Sequence, residues 1–358
     1  MSALPADTQP CLVATTRRGP TGDSLEESLY GTVRALLDGA GLGLDDIDHI
    51  AIASSDGLDG RAISSMVTGP AVGVYRHDTI NSSSSGEHAL ILACLRIMAG
   101  RSRTVLTVNW GHPSEAPVDA VQRLELEPFF HRGLGGNHTV FHGLQASAYL
   151  GRTGLDPGVA DEVLRKNGVA AQGGDEVVAW PLRARHLPPQ VDGSVAVLVA
   201  SAAWAASRGL PAVHVTGIGW NTSSFWERGA ALGRLESLAA AAAQAYGRAG
   251  LPDPAAVDFV ETTDLTPFHE LMAYEALGLC GDGEAVDLLR SGATAPDGAT
   301  PVNRSGGLHA GVPPFAHGLD RVAVAAEALL AGQGRRALVH AASGLAAQNN
   351  SVFVLRSE

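Results

Sequence analysis

Residues 27–50, "ESLYGTVRALLDGAGLGLDDIDHI", return in altered form at residues 236–260 as "ESLAAAAAQAYGRAGLPDPAAVDFV". The Ala-Gly-Leu triplets at Ala40 and Ala249 keep the 209-residue offset set by Glu27 and Glu236. Each copy reads as an apolar-periodic helix, a glycine stop and a short strand. A second pair lies further along: "ILACLRIMAGRSRTVLTV" (91–108) is echoed by "VAVAAEALLAGQGRRALVHA" (322–341), with Gly100 and Gly332 232 positions apart. In both members a helix stops at glycine before a basic turn and a strand. Two echoes in the same order imply an internal duplication, which fixes the architecture before any motif is considered.

The two halves run over 1–210 and 211–358, the first carrying a loop excursion at about 110–190. Each alternates strands and helices, so the expected fold is α/β, with duplicated halves stacked as five α-β-α-β-α layers. The run Ala239–Ala245 is small on every face and is expected between the two sheets, where close approach matters more than volume. The loops before the helices at 86–99 and 317–331 are expected to face one cleft near a pseudo-twofold axis.

Composition narrows the functional classes. At 358 residues, 45% hydrophobic and 17% charged, the chain can bury a large core. A formal net charge of −12 with no basic stripe argues against a nucleic-acid partner. No apolar run is long enough to span a bilayer, and the first 20 residues lack the pattern of a secretory signal, so the expected location is cytoplasmic. Cys11, Cys94 and Cys280 are scattered without metal-ligand spacing, which suits a reducing compartment and gives no zinc site.

The blocks "DGSVAVLVAS" (192–201), "ETTDLTPFHELMAYEALGL" (261–279) and "TPVNRSGGLHAGVPPFAHGL" (300–319) resemble, in order, blocks of the thiolase superfamily, particularly its sterol-carrier-protein-x type. The resemblance covers about residues 10–356 and implies the thiolase fold, a coenzyme A or carrier-protein thioester as substrate, and no bound cofactor. It also marks what is missing. In "SSSSGEHAL", Ser83 stands where the family has its nucleophilic cysteine. Thr263 stands where a histidine precedes the matched Asp264, Val312 falls at the second histidine, and "HAASGLAAQNN" carries no cysteine. The scaffold motif "VNRSGG", with Asn303, Gly306 and Gly307, is kept.

A serine cannot be ionised as a thiol can; it needs a base within reach. The resemblance therefore implies thioester chemistry without cysteine, such as retro-aldol cleavage or serine-based acyl transfer, within a complex. The alternative is a non-catalytic subunit supporting an active homologue or an oligonucleotide-binding-fold partner. Expected partners are a second copy, paired through a sheet edge of the first half, or such a heteromeric subunit. The candidate catalytic residues are Ser83, His309 and Asp264; Thr263, Asn303, Gly306, Gly307 and His340 are the candidate substrate contacts. The serines also suit a helix N-cap. His138 and His142 of "GGNHTVFHG", and Trp110, His112 and Glu115 around "NWGHPSE", are further polar candidates, the latter also readable as a strand-end turn.

Overall fold

The structure, a computed structural model, describes residues 4–82, 85–129, 131–170, 172–224 and 229–357. The first half holds β1 (Pro10–Arg18), α1 (Leu25–Ala40), β2 (His49–Ala53), α2 (Ser64–Val72), β3 (Asp78–Ser82), α3 (Gly86–Met98) and β4 (Thr104–Gly111). The excursion follows, with α4 (Val118–Leu124), α5 (His138–Thr153), α6 (Val159–Asn167) and a hairpin of β5 (Val177–Ala179) and β6 (Leu182–Arg183). The chain re-enters the core as β7 (Gly193–Ser201) and α7 (Ala202–Ser207). The second half holds β8 (Val213–Thr222), α8 (Glu236–Ala249), β9 (Phe259–Thr262), α9 (Pro267–Ala276), α10 (Ala285–Arg290), α11 (His317–Leu330), β10 (Arg336–Ser343) and β11 (Asn349–Ser357).

The strand order is β3-β2-β4-β7-β1-β8-β11-β10-β9. Its two ends repeat each other. β2 is parallel to β4, β4 antiparallel to β7 and β7 antiparallel to β1; β9 is parallel to β10, β10 antiparallel to β11 and β11 antiparallel to β8. Even β3, parallel to β2, has a vestige in the parallel bridge of Val302 to Val260. The duplication read from the offsets is thus a duplication of topology. Within the sheet, among the described residues, the halves pair where Cys11 and Leu12 meet His214 and Val213.

Alternation along the strands shows why both sheet faces are covered. Ala51, Ala53, Val195, Val197 and Val199 pack with α3 and α11, and so do Ala337, Val339, Phe353 and Leu355 from the other half. The intervening Ile50, Ile52, Ala196, Leu198 and Ala200 pack under α1, while Leu338, Val352 and Val354 pack under α8 and α9. Five layers result, with α3 and α11 in the middle. α1 starts on a capping box, in which Ser24 Oγ accepts from the Glu27 amide and the Glu27 carboxylate accepts from the Ser24 amide.

The alanine run lies elsewhere than expected. α8 belongs to an outer layer, burying Ser237, Leu238, Ala241, Ala242 and Ala245 against β8 while Glu236 and Arg248 face solvent. Its small side chains do serve close approach, but to the glycines of one strand. A Cβ on Gly219 would sit 1.9 Å from the Ala241 carbonyl oxygen, and one on Gly217 would sit 2.3 Å from that of Ala245. Because those neighbours are backbone atoms, Gly219→Ala should lower stability by about 1–3 kcal/mol, the range for overpacking a well-filled core. Chemical denaturation checks this, and an unchanged midpoint would mean that α8 can move off β8 freely.

Candidate functional site

The duplication brings the N-termini of α3 and α11 together over the sheet. Gly86 opens α3 and Gly318 is the second residue of α11, and both contacts are tight. A Cβ on Gly86 would lie 2.8 Å from Leu319 Cβ, and one on Gly318 would lie 2.2 Å from Glu87 Oε2. Gly86 and Gly318 are 232 positions apart, the offset of the second echo, so Ser85 and His317 are equivalent residues at the mouths of equivalent helices.

Beside them opens a cavity of about 390 Å³. Its polar wall includes Ser85, His138, His142 and His317, Ser343 comes from the end of β10, and the connection between β10 and β11 supplies Gly344, Leu345 and Gln348. Leu58, Val118, Leu265, Pro314 and Phe315 give apolar surface. The volume is in the range of small-molecule sites. Phe315 holds φ 69°, a left-handed backbone that is strained for a residue with a Cβ, at the rim of the site.

His142 and His317 are set to be neutral. Burial lowers His317 to about 4, helped by the Arg321 charge. Burial pushes His142 well below the ordinary imidazole value, with His269, His138 and His317 adding to the effect. His142 stacks edge-on against His269, ring centroids 4.8 Å apart, and its Nε2 makes no hydrogen bond. His138 pairs through Nε2 with Glu125 at 2.7 Å. Ser85 is the N-cap residue of α3, but its hydroxyl donates to the Glu87 carboxylate and makes no capping bond. Both helix ends therefore keep uncapped N-terminal amides near the cleft.

Most of the residues singled out from the sequence lie behind this cavity. Ser83 lies outside the described residues. His309 is 3% exposed in a 3₁₀ turn at Gly307–Ala310, does not line the cleft, and is lowered to about 4 by burial. Asp264 accepts from the Leu308 amide at 2.8 Å and abuts Gly307; burial and Glu270 hold it above the ordinary carboxylate range. Asn303, at φ 50°, donates to Glu270 and Thr262 and accepts from the Thr262 amide. Thr263 donates to the His340 carbonyl, and His340 pairs with Asn350. Gly306 and Gly307 take positive φ where the chain turns over Asp264. These residues form a buried scaffold under the wall, with Glu270 also bound by Lys166 at 2.5 Å and by Asn167 at 2.9 Å. Trp110 donates to Asp59, and His112 with Glu115 lines a separate, smaller pocket, so neither borders the main cleft.

Sequence reasoning missed His317, Ser343 and Gln348. For His317 the signal was present: the 232-residue offset carries Ser85, last of the four serines, onto it. Nothing in the local sequence marks Ser343 or Gln348, which reach the cleft through an irregular turn. The cysteines are remote from the site. Cys94 lies inside α3 and Cys280 is half-buried, with burial pushing each thiol up to about 12, and Cys11 is buried in β1. Iodoacetamide at neutral pH should accordingly leave the native protein with no adduct by intact mass, since the thiolate is the reacting form. Rapid alkylation of the folded chain would contradict this.

Comparison with known proteins agrees with the geometry. Residues 221–357 match the thiolase C-terminal domain-like family. Human (Homo sapiens) sterol carrier protein 2 is 34% identical over 126 residues, 34% of this chain and 23% of that one. The acetyl-CoA acetyltransferase of Methanothermobacter thermautotrophicus is 32% identical over 172 residues, 47% of this chain and 44% of the relative. The matched stretch thus spans less than half the length of either relative. Among solved structures, an Ltp2-ChsH2(DUF35) aldolase superposes with a TM-score of 0.79 at 19% identity, covering 99% of both chains. A monomeric SCP2-thiolase-like protein type 1 from Mycobacterium smegmatis gives 0.71 at 19% identity, covering 99% of this chain and 79% of that one. At such identities these structures establish the shared fold.

Proposed function

Since the chain is a thiolase-like protein of the sterol-carrier-protein type, we propose that its cleft makes or breaks a carbon–carbon bond next to the carbonyl of an acyl thioester, without a thiol nucleophile. The observation that carries this reading is the lining itself. Among the described residues the cavity has no cysteine but three histidines, of which His142 and His317 are held neutral.

For a 3-hydroxyacyl thioester the step balances without any further reactant. The His317 imidazole takes the proton of the 3-hydroxyl, and the electron pair of the C2–C3 bond passes to C2 and the thioester oxygen. The C3 fragment leaves as an aldehyde or ketone, and the proton then returns to C2. The enolate oxygen formed in between sits by the α3 and α11 amide ends, where the helix dipoles favour negative charge.

A second copy is proposed as partner through β3. Among the described residues that strand pairs with β2 alone, and Ile63, Met66, Val67 and Tyr75, which precede it in the chain, are 43–71% exposed apolar residues. Sedimentation of the pure chain tests this; a monomer at micromolar concentration would remove the homodimer and favour a heteromer.

The deciding experiment incubates the chain with a 3-hydroxyacyl-CoA and follows carbonyl release and protein mass together. Release of the carbonyl fragment without a covalent adduct is expected. A stable acyl adduct would instead support serine-based acyl transfer, and neither product would leave the chain as a thiolase-like subunit serving another active protein.

A further inference from the structure

The connection between β10 and β11, residues 344–348, forms one wall of the cleft and has an unusual backbone. Gly344 takes φ 76° and ψ 175°, Ala346 φ 54° and ψ 31°, and Ala347 φ 52°. Two consecutive left-handed alanines each cost about 1–2 kcal/mol and persist only where the surroundings impose them. The imposing groups are identifiable. Gln145 Nε2 donates to the Ala346 carbonyl at 2.9 Å, and Asn350 Nδ2 donates to the Ala347 carbonyl at 2.8 Å.

A carbonyl only accepts, so each amide has its nitrogen on the turn and its oxygen facing away. The Gln145 oxygen then lies 3.0 Å from His269 Nε2, which must carry the proton, leaving Nδ1 to accept from the Thr266 hydroxyl at 2.8 Å. On the other arm the Asn350 oxygen lies 2.8 Å from His340 Nε2, which must likewise be N–H, while Asn350 Nδ2 also donates to Ser237 Oγ at 2.6 Å. Gln145 is 2% exposed, and His269, His340 and Asn350 are each 1% exposed, so water does not compete for these bonds. Burial lowers His269 to about 3 and His340 to about 4, consistent with neutral rings. The held turn carries Gln348 Oε1 and follows directly on Ser343 Oγ at the end of β10, two buried atoms without a hydrogen-bond partner on residues that line the cavity.

We infer that His269 and His340 are positioning residues: as neutral Nε2–H donors they orient Gln145 and Asn350, which clamp the Ala346 and Ala347 carbonyls and hold the 344–348 turn in the shape that sets Ser343 and Gln348 along the cleft. This assignment does not depend on which reaction the cleft performs.

Two measurements test it. In the wild-type protein, long-range ¹⁵N spectra of the imidazoles should show both rings neutral with the proton on Nε2 at pH 7; an Nδ1–H tautomer or a doubly protonated ring at either residue overturns the inference. In Gln145→Glu and Asn350→Asp the carboxylate still accepts from its histidine but cannot donate to the turn. The Ala347 and Gln348 amides, which bond to Gly344 and Leu345 carbonyls at 3.2 and 3.1 Å, should lose at least about tenfold of their hydrogen-exchange protection at pH 8 and regain it at pH 5. There the protonated carboxyl can donate again. The wild type should show no such recovery. Protection in both variants that ignores pH would overturn the clamp, and if neither variant folds, the wild-type tautomers still decide.

Discussion

Replacing Arg321 by methionine should lower the stability of the folded chain by about 3–5 kcal/mol, the usual loss when one partner of a buried ion pair is removed. Arg321 lies in α11, 1% exposed, with its guanidinium 3.0 Å from Glu261 of β9 and 2.6 Å from Asp320, while Ser305 bridges to it at 2.8 Å. Methionine fills a similar volume but takes the cationic partner from Glu261, which is wholly buried, and leaves Asp320 with Arg17 at 3.5 Å. The pH dependence provides the diagnostic. Burial already raises the Glu261 carboxyl above its ordinary value, with Arg321 opposing that rise. Without Arg321 it should climb further, so the folded variant binds a proton that the unfolded chain releases above about pH 4.3. Stability of the variant then falls as pH rises through the raised folded value, and the deficit relative to wild type should be smaller at pH 5 than at pH 8. Urea titrations at both pH values check this. A deficit that is equal at the two would show that the loss comes from packing and not from the stranded charge.

The sequence revealed the fold more fully than the site, for a physical reason. Fold information is periodic: helix stops at Gly41, Gly100, Gly250 and Gly332, with regular strand and helix lengths between them, survive divergence because each is enforced by local backbone geometry. Two repeats sharing that punctuation therefore imply one topology, and the topology places α3 and α11 side by side. Layer assignment was harder. The alanines of α8 show that close packing is wanted but not against what, and only the glycines of β8 answer that.

The site is assembled from residues remote in sequence, so motif placement alone misjudged depth. Asp264, Asn303 and His309 belong to matched blocks, yet none of them lines the cavity: Asp264 accepts from the Leu308 amide, Asn303 bonds Thr262 and Glu270, and His309 is buried in its 3₁₀ turn. His138 and His142, singled out in the excursion, do line the cavity, but the third histidine there, His317, lies five residues beyond the aligned Val312. Only the symmetry of the duplication points to it.

The largest catalytic effect is expected at His317. If its imidazole is the proton acceptor, His317→Gln should lower turnover of a 3-hydroxyacyl thioester by at least a hundredfold, within the range for loss of a positioned general base and equivalent to about 3 kcal/mol of barrier. Glutamine keeps the polarity and approximate size, so melting temperature should change little. His309→Gln should reduce turnover by less than about tenfold, because that ring is buried away from the cavity, although its removal from a filled site should cost stability. The pH profile supplies a second discriminator. With His317 lowered to about 4, the wild-type rate should hold steady from pH 7 downward and fail only near that value; an unperturbed histidine base would already lose activity near pH 6.5. Stability has the same sign: between about 4 and 6.5 the unfolded chain takes up a proton that folded His317 refuses, so the native state weakens as pH falls through this window. The wild-type rate must accordingly be read where the protein is still folded, with circular dichroism recorded at each pH. Equal losses of turnover in His317→Gln and His309→Gln at unchanged melting temperature would return the proton-accepting role to the deeper loop and displace His317 from it.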